Sequence, residues 1–280
     1  MKVLVTGATG FIGRHIVQVL IERGHDVIAV SRNQEKAEGM DWYDNVTYIS
    51  CDIHQLDQEP KNIFGCADAV IHSAWPGLPH YSEMFHFEKN LPADFNFIKN
   101  LVLSGYQHIL VTGTCFEYGM QNGCLKEDTV TRPENPYGLA KDSLRKYLQV
   151  LQRERPFILQ WTRLFYVYGE GQNPNSILAQ LEQALANRDE YFNMSGGEQL
   201  RDYLPVQEAA KKIVALLEHP ACEGIINICS GKPISIRNLV ENHLKSKGKK
   251  IKLKLGYYPY SSYEPMAFWG DISKYENCMK

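Results

Sequence analysis

A chain of 280 residues, 44% hydrophobic and 22% charged, carries enough apolar surface for one large α/β unit or two closely packed domains. Thirty basic against 32 acidic side chains leave a net charge of −2, without the basic excess that a nucleic-acid or membrane-surface binder requires. The seven cysteines are odd in number, scattered and free of any C-x-x-C pair, so they are expected to be reduced thiols of a soluble, cytoplasmic protein, with no disulfide framework and no metal site.

In chain order, residues 2–6 form a short β-rich run ending in glycines, and 11–23 show helical spacing (Ile12, Ile16, Val19, Leu20) closed by Gly24. Glycines interrupt this start, so it is not a signal peptide, and no later run approaches the roughly 18 apolar residues of a membrane helix. Further apolar runs at 26–30, 46–50, 67–72 and 108–112 predict strands, with helical composition at 87–104. A helix at 137–152 leads to another strand at 157–163. Short, nearly continuous apolar strands alternating with helices predict a doubly wound parallel sheet of the Rossmann type. Beyond about 166 the rhythm loosens: helices are expected at 176–186, 206–218 and 236–245, and a strand at 225–228. The expected division is a dinucleotide-binding domain over 1–165 and a smaller α/β cap over 166–280, interleaved with the sheet edge.

The first chemical motif is Thr6-Gly7-Ala8-Thr9-Gly10-Phe11-Ile12-Gly13, directly after the first strand. Its glycines allow a tight turn and a close approach to a pyrophosphate, seated at the positive end of the following helix. Gly7, Thr9, Gly10, Phe11, Ile12 and Gly13 are therefore candidate cofactor contacts. At the end of the second strand, where an NAD site usually carries an acid for the ribose, stand Ser31 and Arg32. A guanidinium and a hydroxyl suit a ribose 2′-phosphate, so NADP(H) is favoured over NAD(H). Asp52 and Ile53 follow the third strand near the adenine, and Ser73 and Ala74 follow the fourth beside the cofactor.

Tyr137 and Lys141 lie four apart, on one face of a helix that follows the fifth strand, and Thr114 ends that strand. A phenol with a pKa near 10 needs a neighbouring cation to work in acid–base chemistry. Lys141 can supply that charge and also hold the cofactor ribose. A hydroxyl, a phenol and an ammonium converging near a nicotinamide make a carbonyl-reduction or alcohol-oxidation site.

With these motifs in place the chain resembles the extended short-chain dehydrogenase/reductases of the sugar-nucleotide epimerase/dehydratase family. The resemblance runs through TGATGFIG at 6–13, VIHSAW at 70–75, TCFEYG at 114–119, YGLAK at 137–141, RLFYVYGEG at 163–171, LRDYLPV at 200–206, INICSGKPISI at 226–236 and GDISK at 270–274. It implies Tyr137 as acid/base, Lys141 as its activator and Thr114 as the hydroxyl beside the substrate oxygen. Around a nucleotide-sugar substrate it implies Cys115, Glu117, Tyr166 and Arg201. Arg201 takes the position that often holds the pyrophosphate, the alternative being a local ion pair with Asp202. Tyr166 stands where relatives often place a substrate-contacting asparagine. Glu117 is either structural or a contact to a sugar hydroxyl.

The 4,6-dehydratases of this family carry an Asp-Glu pair immediately after the threonine. Here those positions are Cys115 and Phe116, which argues against dehydration, and Cys115 reads as packing rather than a second acid. The epimerase-reductases of GDP-fucose synthesis are disfavoured by Phe116 and Gly171 at their acid–base positions. What is left is hydride transfer. The pattern is most like NADPH-dependent reductases of 4-keto-6-deoxyhexoses in surface-polysaccharide synthesis, with a 4-epimerase as the alternative. A non-catalytic cofactor sensor fits poorly with retention of Tyr137, Lys141 and Thr114. The family habit implies a homodimer through the helices at 87–104 and 137–152.

Overall fold

The short apolar runs become the central sheet of the computed structural model, which describes residues 1–260 and 264–280. Its first part runs β1 (Lys2–Thr6), α1 (Gly13–Glu22), β2 (Asp26–Ser31), α2 (Gln34–Glu38), β3 (Thr47–Ser50), α3 (Pro60–Phe64), β4 (Ala69–His72), α4 (Leu91–Leu103), β5 (His108–Thr114), β6 (Gly123–Leu125), α5 (Pro136–Glu154) and β7 (Ile158–Leu164). The chain continues with β8 (Tyr166–Tyr168), α6 (Ile177–Asn187), β9 (Tyr191–Asn193), β10 (Leu200–Pro205), α7 (Val206–Leu217), β11 (Gly224–Ile228), β12 (Pro233–Ser235), α8 (Ile236–Lys247), β13 (Lys252–Lys254), β14 (Phe268–Gly270) and α9 (Ser273–Cys278).

Seven strands pair in parallel in the order β3-β2-β1-β4-β5-β7-β11, which is the doubly wound sheet expected from the sequence. Period-two alternation splits each strand between two layers. Val3 and Val5 of β1 pack with Ile16 and Leu20 of α1 and Ile213 of α7. Leu4 faces the opposite layer, with Phe97, Ile98 and Leu101 of α4 and Leu144 and Leu148 of α5. The winding reverses between β1 and β4, opening a crevice at their C-terminal ends.

The C-terminal part divides its elements. β11 completes the large sheet, and α7 packs against α1. Leu178 and Leu181 of α6 join Leu239, Val240 and Leu244 of α8 in a separate apolar cluster. There the mixed sheet β12-β10-β8 and the pair β13-β9 stand beside the main body.

Three local expectations change. Helix α1 starts at Gly13, with Ile12 as its cap, so Phe11 belongs to the turn. The helix expected at 87–104 divides into a π-helical turn, His86–Asn90, and α4, which carries a proline in its first turn. The cysteines are not all free: Cys222 and Cys278 form a disulfide, Cα atoms 5.7 Å apart, and five free thiols remain. Folding α9 against β11 brings the two together across 56 residues of sequence, a tertiary contact that no local spacing encodes.

Candidate active site

The glycine turn after β1 is built for close approach. Gly7 has φ +71°, and a Cβ there would lie 2.7 Å from the Ala74 nitrogen. A Cβ on Gly13 would collide with the Gly7 carbonyl. Ser73 donates its hydroxyl to the Thr6 carbonyl at 2.7 Å, stitching the ends of β1 and β4 together beneath the turn. Arg14 follows Gly13, and among the described residues its buried Nε and one buried terminal nitrogen have no hydrogen-bond partner, that terminal nitrogen lying 3.7 Å from Glu170. Backbone space for phosphates and an orphaned buried guanidinium at a helix N-terminus fit the diphosphate of a dinucleotide. Reading the sequence for glycines missed Arg14.

At the tip of β2, Ser31 is buried with its hydroxyl paired to that of Tyr48 at 2.9 Å. The Arg32 side chain is exposed, with no hydrogen-bond or ion-pair partner among the described residues. Asp52 turns inward on its own segment, accepting from the His54 amide at 3.1 Å and the Gln55 side chain at 3.3 Å, and Ile53 is buried beside it.

Thr114 at the end of β5 faces Tyr137 in the first turn of α5, its hydroxyl close enough to act on the phenol. Asn135 caps α5 by accepting from the Gly138 amide at 2.8 Å. Gly138 is required because a Cβ would stand 2.7 Å from the Phe116 carbonyl, and this close pass draws Tyr137 onto the Thr114 turn. Burial holds the Tyr137 phenol well above its ordinary range, so it is protonated at neutral pH. Lys141, one helical turn on, is 1% exposed and donates to the Thr112 carbonyl at 2.9 Å. Burial lowers its pKa to about 8, against the pull of Asp94 and Glu117.

Aromatic rings wall this site. Tyr137 lies 5.3 Å from His86, 5.6 Å from Tyr81, 6.0 Å from Trp75 and 6.3 Å from Phe116, centroid to centroid. Behind Lys141, His72 at the end of β4 sits between Thr6 Oγ1 and Asp94 Oδ1, each 2.9 Å away. His54 reaches the same Asp94 oxygen at 3.2 Å. None of Trp75, Tyr81, His86 and Asp94 stood out as a site residue in the sequence.

The residues expected around substrate divide. Cys115 is buried among Tyr118, Leu125, Phe165, Cys229 and Phe268, and burial pushes its thiol pKa up. It packs the core and offers no reactive group to a sugar. Glu117 is fully buried. One oxygen accepts from the Thr114 amide at 2.9 Å and Trp161 Nε1 at 2.8 Å. The other accepts from Arg163 Nε at 2.8 Å, with Arg145 Nε 3.6 Å away. Both of its oxygens are thus committed inside the protein.

Arg201 and Tyr166 converge on Glu264, at 3.0 and 2.6 Å. The expected alternative partner, Asp202, is taken instead by the amides of Ser230 and Gly231 at 2.7 and 2.9 Å. Arg201 also stacks 4.8 Å from Phe268.

A Rossmann crevice with a glycine cradle, together with a Tyr–Thr–Lys cluster, is the arrangement of a nicotinamide-dependent oxidoreductase of the short-chain type. The family model described as "NAD dependent epimerase/dehydratase family" matches residues 3–229, and the chain belongs to that family, whose members modify nucleotide sugars by oxidoreduction. A dTDP-6-deoxy-L-talose 4-dehydrogenase (NAD(+)) of Aggregatibacter actinomycetemcomitans is 32% identical over 272 residues, covering 96% of this chain and 99% of that one. Among solved structures, a UDP-N-acetylglucosamine 4-epimerase from Methanobrevibacter ruminantium M1, in complex with UDP-N-acetylmuramic acid, superposes with TM-score 0.87 at 26% identity, covering 100% of this chain and 92% of that one. A Bacillus cereus UDP-glucuronic acid 4-epimerase, bound to UDP-glucuronic acid and NAD, gives 0.85 at 25%, with 100% and 93% covered.

Proposed function

We propose that the protein reduces the C4 ketone of a nucleotide-linked 4-keto-6-deoxyhexose, the reverse direction of which is a 4-dehydrogenation like that named for the Aggregatibacter relative. The observation that carries this reading is a protonated Tyr137 facing Thr114, while the two positions that would hold ring acids for dehydration are Cys115, which is buried, and Phe116. A bound nicotinamide supplies hydride chemistry at C4. Tyr137 gives its proton to the oxygen developing at C4, Thr114 hydrogen-bonds that oxygen, and Lys141 balances the phenolate left behind. Gly7, Thr9, Gly10, Phe11, Ile12 and Gly13, with Arg14, hold the cofactor diphosphate. Asp52, Ile53, Ser73 and Ala74 line the adenine and nicotinamide ends.

Residues 1–165 bind the cofactor, and 166–280 bind the sugar nucleotide. Arg201 serves the substrate diphosphate, whose oxygens take over the place of the Glu264 carboxylate. Leu103 of α4 and Leu139, Tyr147 and Val150 of α5 are exposed at 41–57%, a face suited to pairing the α4–α5 layer in a homodimer.

The deciding experiment incubates purified protein with NADPH or NADH and a panel of 4-keto-6-deoxy sugar nucleotides, product configuration being read by NMR. Failure to oxidise either cofactor with every member of the panel overturns the reading. A 4-epimerase is the second reading, favoured by structural neighbours such as the two 4-epimerases named above. It predicts interconversion of C4 epimers with no added cofactor.

For the cofactor, the unpartnered Arg32 at the tip of β2 favours NADP(H), whereas the relative named for NAD(+) supports NAD(H). With NADP(H), Arg32→Ala lowers kcat/KM for NADPH by about 10–100-fold, the worth of a charge-assisted phosphate contact, and changes NADH use by less than about twofold. Equal losses with both cofactors would remove the 2′-phosphate assignment.

A further inference from the structure

Trp75, three residues beyond β4, presents its ring to Lys141 with the ammonium 4.0 Å from the centroid. The indole is aimed from behind. Its N–H donates to His86 Nδ1 at 3.0 Å, and the two rings lie 18° from parallel. His86 is fully buried and donates from Nε2 to the His80 carbonyl at 3.0 Å. These two bonds fix the histidine as the Nε2–H tautomer, the form that leaves Nδ1 free to accept. Asn90 donates to the Pro76 carbonyl at 2.9 Å, tying the same segment to the π-helical turn that carries His86.

Lys141 needs such support. Its ammonium carries three donors in a buried site, and one of them goes to the Thr112 carbonyl. The charged groups that pull on it also serve other partners. Glu117, in the turn after β5, is paired with Arg163 and Arg145. Asp94 of α4 gives one oxygen to His72 of β4 and His54, and its other oxygen is buried with no hydrogen-bond partner among the described residues. His86, ahead of α4, is pushed toward its neutral form by burial and by Lys141 itself. The phenol of Tyr137, on the same helix, is neutral. Beside the Thr112 carbonyl and the pull of Asp94 and Glu117, the indole face is a further direct contact that favours the ammonium over the free amine, and a desolvated cation over Trp is the strongest form of that interaction.

We infer that Trp75, aimed by His86, is a positioning residue that clamps the Lys141 ammonium beside Tyr137. The inference rests on the proposed role of Lys141, but its test separates the two. In Trp75→Leu, apolar volume is retained while the π face is lost, so Lys141 loses its proton at lower pH. The alkaline limb of the kcat–pH profile then moves down by about 0.4–1.5 units, the equivalent of one cation–π contact. Trp75→Phe keeps an aromatic face, and its limb stays closer to wild type than that of the leucine variant. A leucine variant with the wild-type limb, or a phenylalanine variant displaced as far as leucine, overturns the clamp.

A second readout needs neither activity nor a variant at position 75. In wild-type protein with 13C-labelled lysine, the ring current moves the Lys141 Hε resonances upfield of the other lysines, assigned by their disappearance in Lys141→Arg. Unshifted Lys141 resonances in the wild type overturn the clamp even if no substrate is turned over. Shifted resonances in a protein inert toward every keto sugar nucleotide leave the clamp standing and remove the proposed reaction.

Discussion

Replacing Tyr137 with phenylalanine lowers kcat by about 10²–10⁴-fold, the usual worth of a general acid, while the affinities for cofactor and sugar nucleotide change little. The ring of Tyr137 is held by Trp75, Tyr81, His86 and Phe116, and its backbone amide by the Tyr81 carbonyl at 3.0 Å. Phenylalanine keeps all of that packing and removes only the hydroxyl that meets Thr114. The direction of the reaction bears on the size of the effect. Burial leaves Tyr137 a protonated phenol in the resting enzyme, which is the form that donates to an alkoxide during reduction. Oxidation needs the phenolate first, and that state depends on the Lys141 charge, which is lost as pH rises past about 8. Steady-state NAD(P)H oxidation, with binding measured separately by calorimetry, tests the prediction. Turnover within tenfold of wild type would remove Tyr137 from the acid–base role.

The parts of this molecule that were legible in the sequence are those written locally. β1, β2, β4 and β5 are short, mainly apolar strands buried on both faces over most of their length. Their periodicity declares a parallel sheet before any contact is known. The spacing of Tyr137 and Lys141 is fixed by one helix and is equally visible.

What escaped the sequence depends on distance along the chain. β8, β9, β12, β13 and β14 are three residues each, and such strands exist only because a partner far away in sequence pairs with them. The Trp75–His86 contact depends on a π-helical turn that propensity does not announce. Glu264 meets Arg201 across 63 residues, so the nearest acid in sequence, Asp202, was the natural partner to expect. The role of Glu117 stayed open in the sequence for the same reason. A carboxylate two residues from a buried cysteine and three from Thr114 looks available for chemistry until Trp161 and Arg163, 44 and 46 residues away, are seen to consume it.

That arrangement makes Glu117 a position where a single substitution costs much stability. Glu117→Ala removes the anion from a site where Arg163 is fully buried and Arg145 nearly so. It leaves the Trp161 indole N–H and the Thr114 amide without their acceptor. Breaking a buried pair from one side is expected to cost about 3–5 kcal/mol, because the stranded charge keeps its desolvation penalty. At about 2–4 °C per kcal/mol for a chain of this size, the melting temperature falls by about 6–20 °C. Glu117→Gln keeps the side-chain volume and one acceptor for Thr114 and Trp161, so its loss is smaller, and the order wild type, Gln, Ala should hold in calorimetry. Function follows through geometry. Glu117 closes the capping turn that sets Thr114, so the folded fraction of the alanine variant loses kcat more than it gains KM. A sugar-binding carboxylate would give the reverse: a raised KM for the nucleotide sugar in a protein as heat-stable as wild type. That outcome would return Glu117 to the substrate site and require one of its buried partners to let go.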